Sequence, residues 1–323
     1  MLRFFAKRLV SMVFVLFAIS VLSFLIFFAT PGVDPAARIA GRNADQATLR
    51  AVRKDFGLDK PIFVRYAVMM KKLFISRDLT SYVNRGEKVI PQVTQAAPVT
   101  LSLVFGAAVI WVVFSIAMGL LAAVFRGRPI DTAVMVIGLI GISIPVFWLG
   151  EVVNLLTQSR FHHSFLFSWV PPLGYIPFTQ SPFGWFKSLL FPWLTLSILY
   201  IGIYARVLRS ALVEAQEEDY VRTARAKGLT ERRVLLRHAL RTSLIAFVSL
   251  FGLDFAFLVG GGALLTEVVF GLPGVGQLTY QSFQSFDLPV IMATVVYAAF
   301  FITLASALVD VVYAWLDPRI RPA

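Results

Sequence analysis

The chain has 323 residues, of which 58% are hydrophobic and 15% are charged, and its mean hydropathy is +0.77. This composition, with apolar runs longer than about 18 residues, excludes a free-standing soluble domain and predicts a polytopic membrane protein. The net charge of +12 follows the positive-inside rule of membrane proteins, so no nucleic acid is expected as a partner. The chain contains no cysteine, which excludes disulfides and thiolate metal sites.

The first 29 residues predict a short cytoplasmic tail followed by a membrane span. Arg3, Lys7 and Arg8 precede an apolar run from Leu9 to Ala29. Secretory signals also combine a basic start with an apolar run, but this run is too long and lacks a small-x-small cleavage pattern. We therefore interpret it as the first span.

Residues 30–97 form a polar segment that predicts a helical cap on the extracytoplasmic side. A helix is expected over 45–56 and ends at Gly57, and a second helix begins near Pro61. We favour a second helix that packs on the spans or on the outer leaflet over one that is dedicated to recognising a ligand. Its apolar face comprises Ile62, Tyr66, Met69, Met70 and Leu73, with Arg65, Lys71 and Lys72 off that face.

Residues 98–323 predict a membrane core, which makes the whole chain an all-α protein with six spans. Pro145 predicts a kink in the third span, because proline removes a backbone donor from the helix. The proline- and aromatic-rich residues 158–190 predict an interfacial re-entrant or hairpin segment. The five spans of the core are expected at about 98–125, 130–156, 191–208, 244–270 and 288–316.

The distribution of basic residues predicts the orientation of the chain. With the N-terminus in the cytoplasm, the predicted cytoplasmic segments hold 16 of the 30 Lys and Arg residues. The two short outer loops hold only Arg160 and Lys187. The other 12 lie in residues 30–97, a segment longer than the loops over which the rule operates. Both termini and the loop 214–241 are therefore expected in the cytoplasm.

The loop 214–241 predicts a helix–turn–helix outside the bilayer. Asp219 is expected to cap a helix that begins at Tyr220, and Gly228 to end that helix in the left-handed conformation. Thr230 is expected to cap the second helix. The apolar side of the second helix comprises Val234, Leu235, Ala239 and Leu240.

A basic loop beside a span usually reflects the positive-inside rule alone, but this loop has features that favour a docking surface for another protein. Small residues allow the backbone of the first helix to approach another protein closely. Two apolar residues follow Asp219 at its tip, and three cationic side chains can pair with carboxylates of a partner. The small residues are Ala224, Ala226 and Gly228, the tip is Tyr220 and Val221, and the cations are Arg222, Arg225 and Lys227.

The chain carries no recognisable catalytic or nucleotide-binding motif. It lacks GxxxxGK[ST], so it has no ATP site of this type, and it lacks HExxH and GxSxG, which disfavours a membrane-embedded hydrolase. The glycines of 260–262 and 271–276 do not fit GxGxxG and are interpreted as sites of close helix approach or hinges. The adjacent His162 and His163 have no further ligand at metal-binding spacing, so no metal site is expected.

Three acidic residues in the predicted spans, Glu151, Asp254 and Glu267, are candidates for the translocation path. An unpaired carboxylate near the middle of a span costs about 2.5–3.5 kcal/mol on insertion scales. Either these carboxylates form hydrogen bonds between helices, or they line a water-filled translocation path. A secondary transporter that uses these acids as a proton relay is a further alternative, but we find no internal inverted repeat.

Several segments resemble the permeases of binding-protein-dependent ABC importers, in their dipeptide/oligopeptide group. The segment DYVRTARAKGL (219–229), followed by RHALR (237–241), is similar to the EAA loop of that family. Ala224 and Gly228 match the second alanine and the glycine of the motif. Arg222 and Thr223 replace its glutamate and first alanine, and Arg241 replaces its terminal proline. The supporting fragments are GRN (41–43), FGLDKPIFVRYA (56–67), GISIPVFWLG (141–150), TEVVFGLPGVG (266–276) and LDPRIR (316–321).

The resemblance implies one of two non-identical transmembrane subunits of an importer for short peptides, in the cytoplasmic membrane of a bacterium or archaeon. It implies a homologous second permease, two cytoplasmic ATPase subunits that bind ATP and Mg²⁺, and an external substrate-binding protein. The chain itself would hold no cofactor and would not be an enzyme. Relatives in the group carry nickel, glutathione or haem instead of peptides. The implied ATPase-coupling residues are Asp219, Tyr220, Val221, Arg222, Thr223, Ala224, Arg225, Ala226, Lys227, Gly228 and Leu229.

Overall fold

The computed structural model describes residues 2–28, 36, 46–55, 57–84 and 86–316. In these ranges the regular secondary structure is helical, and one isolated β-bridge joins Thr80 and Lys88. The predicted all-α fold class is therefore confirmed. The GRN fragment (41–43), parts of the predicted cap and the basic end of LDPRIR lie outside the described residues.

The helices alternate between long apolar elements and short connecting ones, and several are extended by π-helical turns. The first group is α1 (Leu2–Phe28), α2 (Gln46–Asp55), α3 (Ile62–Met70, extended by Lys71–Ile75), α4 (Val89–Val124), α5 (Pro129–Ser143) and α6 (Val146–Asn154, extended by Leu155–Arg160). The second group is α7 (Pro182–Glu217), α8 (Asp219–Ala226), α9 (Glu231–Val234, extended by Leu235–Ala239), α10 (Leu240–Phe257, extended by Leu258–Gly262), α11 (Leu264–Phe270), α12 (Val275–Ser285) and α13 (Leu288–Leu316).

Five helical segments in the described residues are long and apolar enough to cross a membrane. A sixth span results if α5 and α6 together form one, although they are bent by 87°. The bend lies at Ile144 and Pro145, where both residues have extended backbones, so the predicted proline kink is a right-angled break. The five segments are Arg8–Phe27, Val89–Val124, Pro182–Glu217, Glu231–Gly262 and Leu288–Val309.

One compact unit comprises Met1–Thr100, Val259–Leu264 and Pro273–Leu304. Its core joins the end of α1, α3, the loop after α3 and the beginning of α13, through Phe24, Met69, Leu73 and Ile291. The predicted apolar face of α3 points into this core, because Met69 and Leu73 are buried and the other predicted members pack against them. Gly57 has φ +64 after α2, as its predicted role as a helix end requires.

The other compact unit comprises Leu101–Leu258, Leu265–Leu272 and Ala305–Ala323. Helices α5 and α7 pack closely because glycines face each other: a Cβ on Gly202 would lie 2.4 Å from the carbonyl oxygen of Gly138. Trp111 of α4 stacks on Tyr200 of α7 with ring centroids 4.7 Å apart. Both units combine distant segments, whereas the division into 1–29, 30–97 and 98–323 describes successive parts of the chain and stays a prediction.

The second, fourth and fifth predicted spans have different bounds in the structure. The second begins at Val89 instead of 98. The fourth begins at Pro182 instead of 191, because Ser181 caps it by accepting a hydrogen bond from the Gly184 N–H at 3.1 Å. The predicted interfacial segment 158–190 therefore overlaps a helix at its end. The fifth span does not continue to residue 270, because Gly261 has φ +114 and separates α10 from the short helix α11.

Candidate functional site

Helix α8 is the short helix that the sequence places in the loop 214–241. It begins after Glu218, whose backbone is extended and whose carbonyl accepts hydrogen bonds from the N–H groups of Val221 and Arg222. Glu218 is therefore the N-cap residue, and the prediction that Asp219 caps this helix is wrong. Asp219 lies in the first turn, where its charge favours the helix dipole, and it forms an ion pair with Arg222 at 3.4 Å.

The C-terminal end of α8 is fixed by a left-handed glycine. Gly228 has φ +78, as the sequence predicts. Its N–H donates to the carbonyl of Arg225 at 2.9 Å, and the N–H of Leu229 donates to the carbonyl of Ala224 at 3.4 Å. This pair of hydrogen bonds is the Schellman arrangement, which gives α8 a defined length and the following turn a defined direction.

The inner face of α8 consists of Val221 and Ala224, which are 0% and 5% exposed. Their spacing of three residues places them on the same side of the helix. The apolar tip is therefore Tyr220 alone, which is 41% exposed, because Val221, the other predicted member of the tip, is buried. Their small or compact side chains allow α8 to pack on its own chain. The exposed members of the predicted site are Asp219, Tyr220, Arg222, Thr223, Arg225, Ala226, Lys227 and Gly228.

Hydrogen bonds of Arg225 join helix α8 to the helices before and after it. The Arg225 guanidinium donates to the Glu231 carboxylate at 3.0 Å and to the carbonyl of Gln216, at the end of α7, at 3.2 Å. Thr230 occupies the N-cap position of α9, although its side chain makes no capping hydrogen bond. From Glu231 the helix continues without a break to Phe257. The second helix of the loop is therefore continuous with the fifth span and is not a separate helix.

A buried ion pair behind this loop was not anticipated from the sequence. The Arg209 guanidinium on α7 donates two hydrogen bonds of 2.6 Å to the carboxylate of Asp131 on α5. The Asp131 carboxylate also accepts the N–H of Gly127 at 2.9 Å. A second pair, Arg126 with Glu217 at 2.8 Å, is exposed. The only sequence signal was the occurrence of charged residues near the ends of apolar helices, which does not identify partners 78 positions apart.

The three candidate path residues lie on three different helices. Glu151 on α6 is exposed, and Glu267 on α11 is 0% exposed. Asp254 on α10 is half-buried and accepts a hydrogen bond of 2.7 Å from the hydroxyl of Tyr204 on α7. Asp254 therefore makes the hydrogen bond between helices that was the alternative explanation for its position. It also keeps some exposure, which a path residue needs.

Comparisons with known proteins agree with these features. Residues 115–322 match the family described as "Binding-protein-dependent transport system inner membrane component", and residues 1–104 match its N-terminal membrane component. The chain is 37% identical over 315 residues to a Brucella abortus protein described as a peptide transport system permease, with 98% of each chain covered. It is 35% identical to an Escherichia coli K12 protein described as a D,D-dipeptide transport system permease, covering 97% of this chain and 96% of that one.

A glutathione transport system permease of Escherichia coli O6:H1 is 37% identical over 321 residues, with 99% of each chain covered. Among solved structures, a chain of the methionine ABC transporter MetNI in inward-facing conformations matches with a TM-score of 0.55. That match has 20% identity and covers 71% of this chain and 97% of the other. It shows a shared fold.

Proposed function

Because this chain belongs to the family of binding-protein-dependent transport system inner membrane components, we propose that α8 couples it to cytoplasmic ATPase subunits of an importer for short peptides. The observation that carries the proposal is the combination of an exposed, cationic outer face with a buried inner face on a short helix. Such an element can dock in a cleft of another protein without deforming. The eleven residues from Asp219 to Leu229 form this coupling element.

The geometry of α8 suits it to transmit force. Helix α8 is attached to the ends of α7 and α9 by its buried inner face, by its Schellman turn and by Arg225. A displacement of α8 therefore moves both long helices together, whereas a flexible loop would absorb it. When the ATPase subunits close on ATP and Mg²⁺, the coupling helices of the two permeases approach each other and the path opens outward. Hydrolysis on the partner subunits then resets it, and this chain holds no nucleotide.

The chain forms one half of the path and a homologous second permease forms the other. Short peptides are the proposed cargo, supported by the peptide and D,D-dipeptide permeases among its relatives. The glutathione permease supports glutathione, itself a short peptide derivative, as the second candidate. An external substrate-binding protein delivers the cargo, and Glu151 and Asp254 contribute to the path. The predicted role of Glu267 in the path requires that its buried side chain become exposed in another conformation. Both termini and α8 lie on the cytoplasmic side of a bacterial cytoplasmic membrane.

Uptake by the reconstituted complex tests this function. In proteoliposomes that contain both permeases and both ATPases, with the binding protein outside, we expect internal ATP and Mg²⁺ to drive uptake of labelled short peptides. A parallel assay with labelled glutathione discriminates the second candidate. A protonophore should leave the initial rate unchanged. Uptake that persists without the ATPases and disappears with the protonophore would instead establish a secondary transporter.

A further inference from the structure

A cavity of about 270 Å³ in the unit that contains α1–α3 has a strongly basic lining. It lies beside Phe24, in the last turns of α1, and is enclosed by the end of α2, by α3 and by the loop after α3. Its lining includes four cationic side chains and no carboxylate among the described residues. The four are Lys54, Lys60, Arg65 and Lys72.

Among the described residues, Arg65 is the lining residue that most clearly lacks a hydrogen-bond partner. Its Nε is buried and has no hydrogen-bond partner in the described part of the chain, although a buried cationic donor normally has one. Two nearby acids accept hydrogen bonds from other groups, although Asp78 also interacts electrostatically with Lys72. Asp78 accepts a hydrogen bond from the Ser76 hydroxyl, and Asp287 accepts hydrogen bonds from the Ser81 hydroxyl and the N–H of Tyr82. The cavity is therefore complementary to an anion that supplies acceptor oxygens, and a guanidinium is suited to bind a phosphate with two parallel hydrogen bonds.

The surroundings of the cavity favour a lipid as the source of the phosphate. The helical segment 62–75 packs one face into the core and exposes large apolar side chains on the other, with Phe63, Phe74 and Ile75 being 83%, 55% and 75% exposed. A helix of this type lies in the headgroup layer of a membrane. The end of the first span at Phe27 places the cavity at the same level.

We propose that this cavity binds the headgroup phosphate of an anionic phospholipid of the outer leaflet, with Arg65 and Lys72 as the main ligands. The acyl chains lie along the exposed apolar side chains of the 62–75 segment. This site also explains why residues 46–84 carry eight Lys or Arg and only three Asp. Such an excess is not required by the positive-inside rule in a segment predicted to be extracytoplasmic.

Lipid retention by the complete transporter in nanodiscs tests the proposal. The discs contain phosphatidylcholine alone or with phosphatidylglycerol, and native mass spectrometry and the thermal midpoint report bound lipid. The test variant is R65Q/K72Q. The control variant is R50Q/K71Q, which removes the same charge from two exposed residues that do not line the cavity, one on α2 and one in the 62–75 segment.

We expect phosphatidylglycerol to raise the midpoint of the wild type and of the control variant, and to remain bound to both. In R65Q/K72Q, the retention of phosphatidylglycerol should fall about tenfold or more, because the variant loses charge-assisted hydrogen bonds to the phosphate. Should the double variant fail to assemble, K72Q alone provides the comparison with K71Q.

An equal response of the test and control variants to phosphatidylglycerol would overturn the site. Stabilisation by inorganic phosphate in phosphatidylcholine discs, with no further gain from phosphatidylglycerol, would keep the oxyanion chemistry and reject the lipid. Occupation of the cavity by an acidic segment of a partner subunit, instead of by phosphatidylglycerol, would also reject the lipid. None of these measurements depends on peptide uptake, so they are independent of the proposed transport function.

Discussion

Replacement of Gly228 by valine strains the turn that ends α8 without adding a collision. Gly228 has φ +78, and a Cβ at this position would meet no atom within 4 Å. The cost is therefore conformational, about 1–2 kcal/mol for an L-residue in the left-handed region, and more for a β-branched side chain. A change of this size alters the population of the native turn by a factor of about 5–30.

We expect Gly228→Val to insert and assemble with its partner permease, but to lose most ATP-driven uptake, because α8 is no longer held against α7 and α9. Gly228→Asn should retain most uptake, since asparagine tolerates the left-handed region. Gly127→Val is the matched control, because Gly127 has φ +74, equally open surroundings and a place in the turn between α4 and α5. Gly127→Val introduces the same backbone strain, but the turn that it affects does not end α8.

Uptake and ATPase activity are measured in proteoliposomes, and binding of the ATPase subunits by pulldown. Normal uptake with complete ATPase binding in Gly228→Val would refute the reasoning. So would a loss of uptake in Gly127→Val as large as that in Gly228→Val, because it would show that any strained turn inactivates the protein.

The remaining predictions concern charged groups within the bundle. Asp131→Ala should lower the stability of the complex by about 3 kcal/mol in thermal unfolding, because it leaves the Arg209 guanidinium largely buried without its acid. Glu217→Ala breaks an exposed pair and should lower the stability by no more than about 1 kcal/mol. Equal midpoints of the two variants would contradict a structural role for the buried pair. Asp254→Asn keeps an acceptor for the Tyr204 hydroxyl, so we expect an unchanged thermal midpoint but reduced uptake. Normal uptake would remove Asp254 from the path.

Local signals in the sequence predicted much of the helical framework. Gly57 and Gly228 end their helices in the left-handed conformation because no other residue type adopts it as readily. The apolar face of α3 followed from its periodicity, and α13 has the predicted bounds of 288–316. These features depend on neighbouring residues only, which is why a single sequence reveals them.

Features that depend on distant residues were not predictable in the same way. The charges after Thr230 suggested a separate helix outside the bilayer, but nothing between Glu231 and Phe257 breaks the helix, so α9 continues into α10. The buried positions of Val221 and Ala224 depend on which side of α8 meets its own chain. The approach of Gly138 to Gly202 likewise joins two helices whose pairing no local pattern specifies.

Site-directed cross-linking tests the coupling role of α8 most directly, because the chain contains no cysteine of its own. A maleimide photocrosslinker attached at Tyr220→Cys, on the exposed face, should join this chain to an ATPase subunit in the assembled complex. Val221→Cys, whose thiol is buried, should not be labelled by the maleimide and should yield no ATPase adduct. The absence of an ATPase adduct at Tyr220→Cys, or an adduct there with the external binding protein, would contradict the proposed coupling.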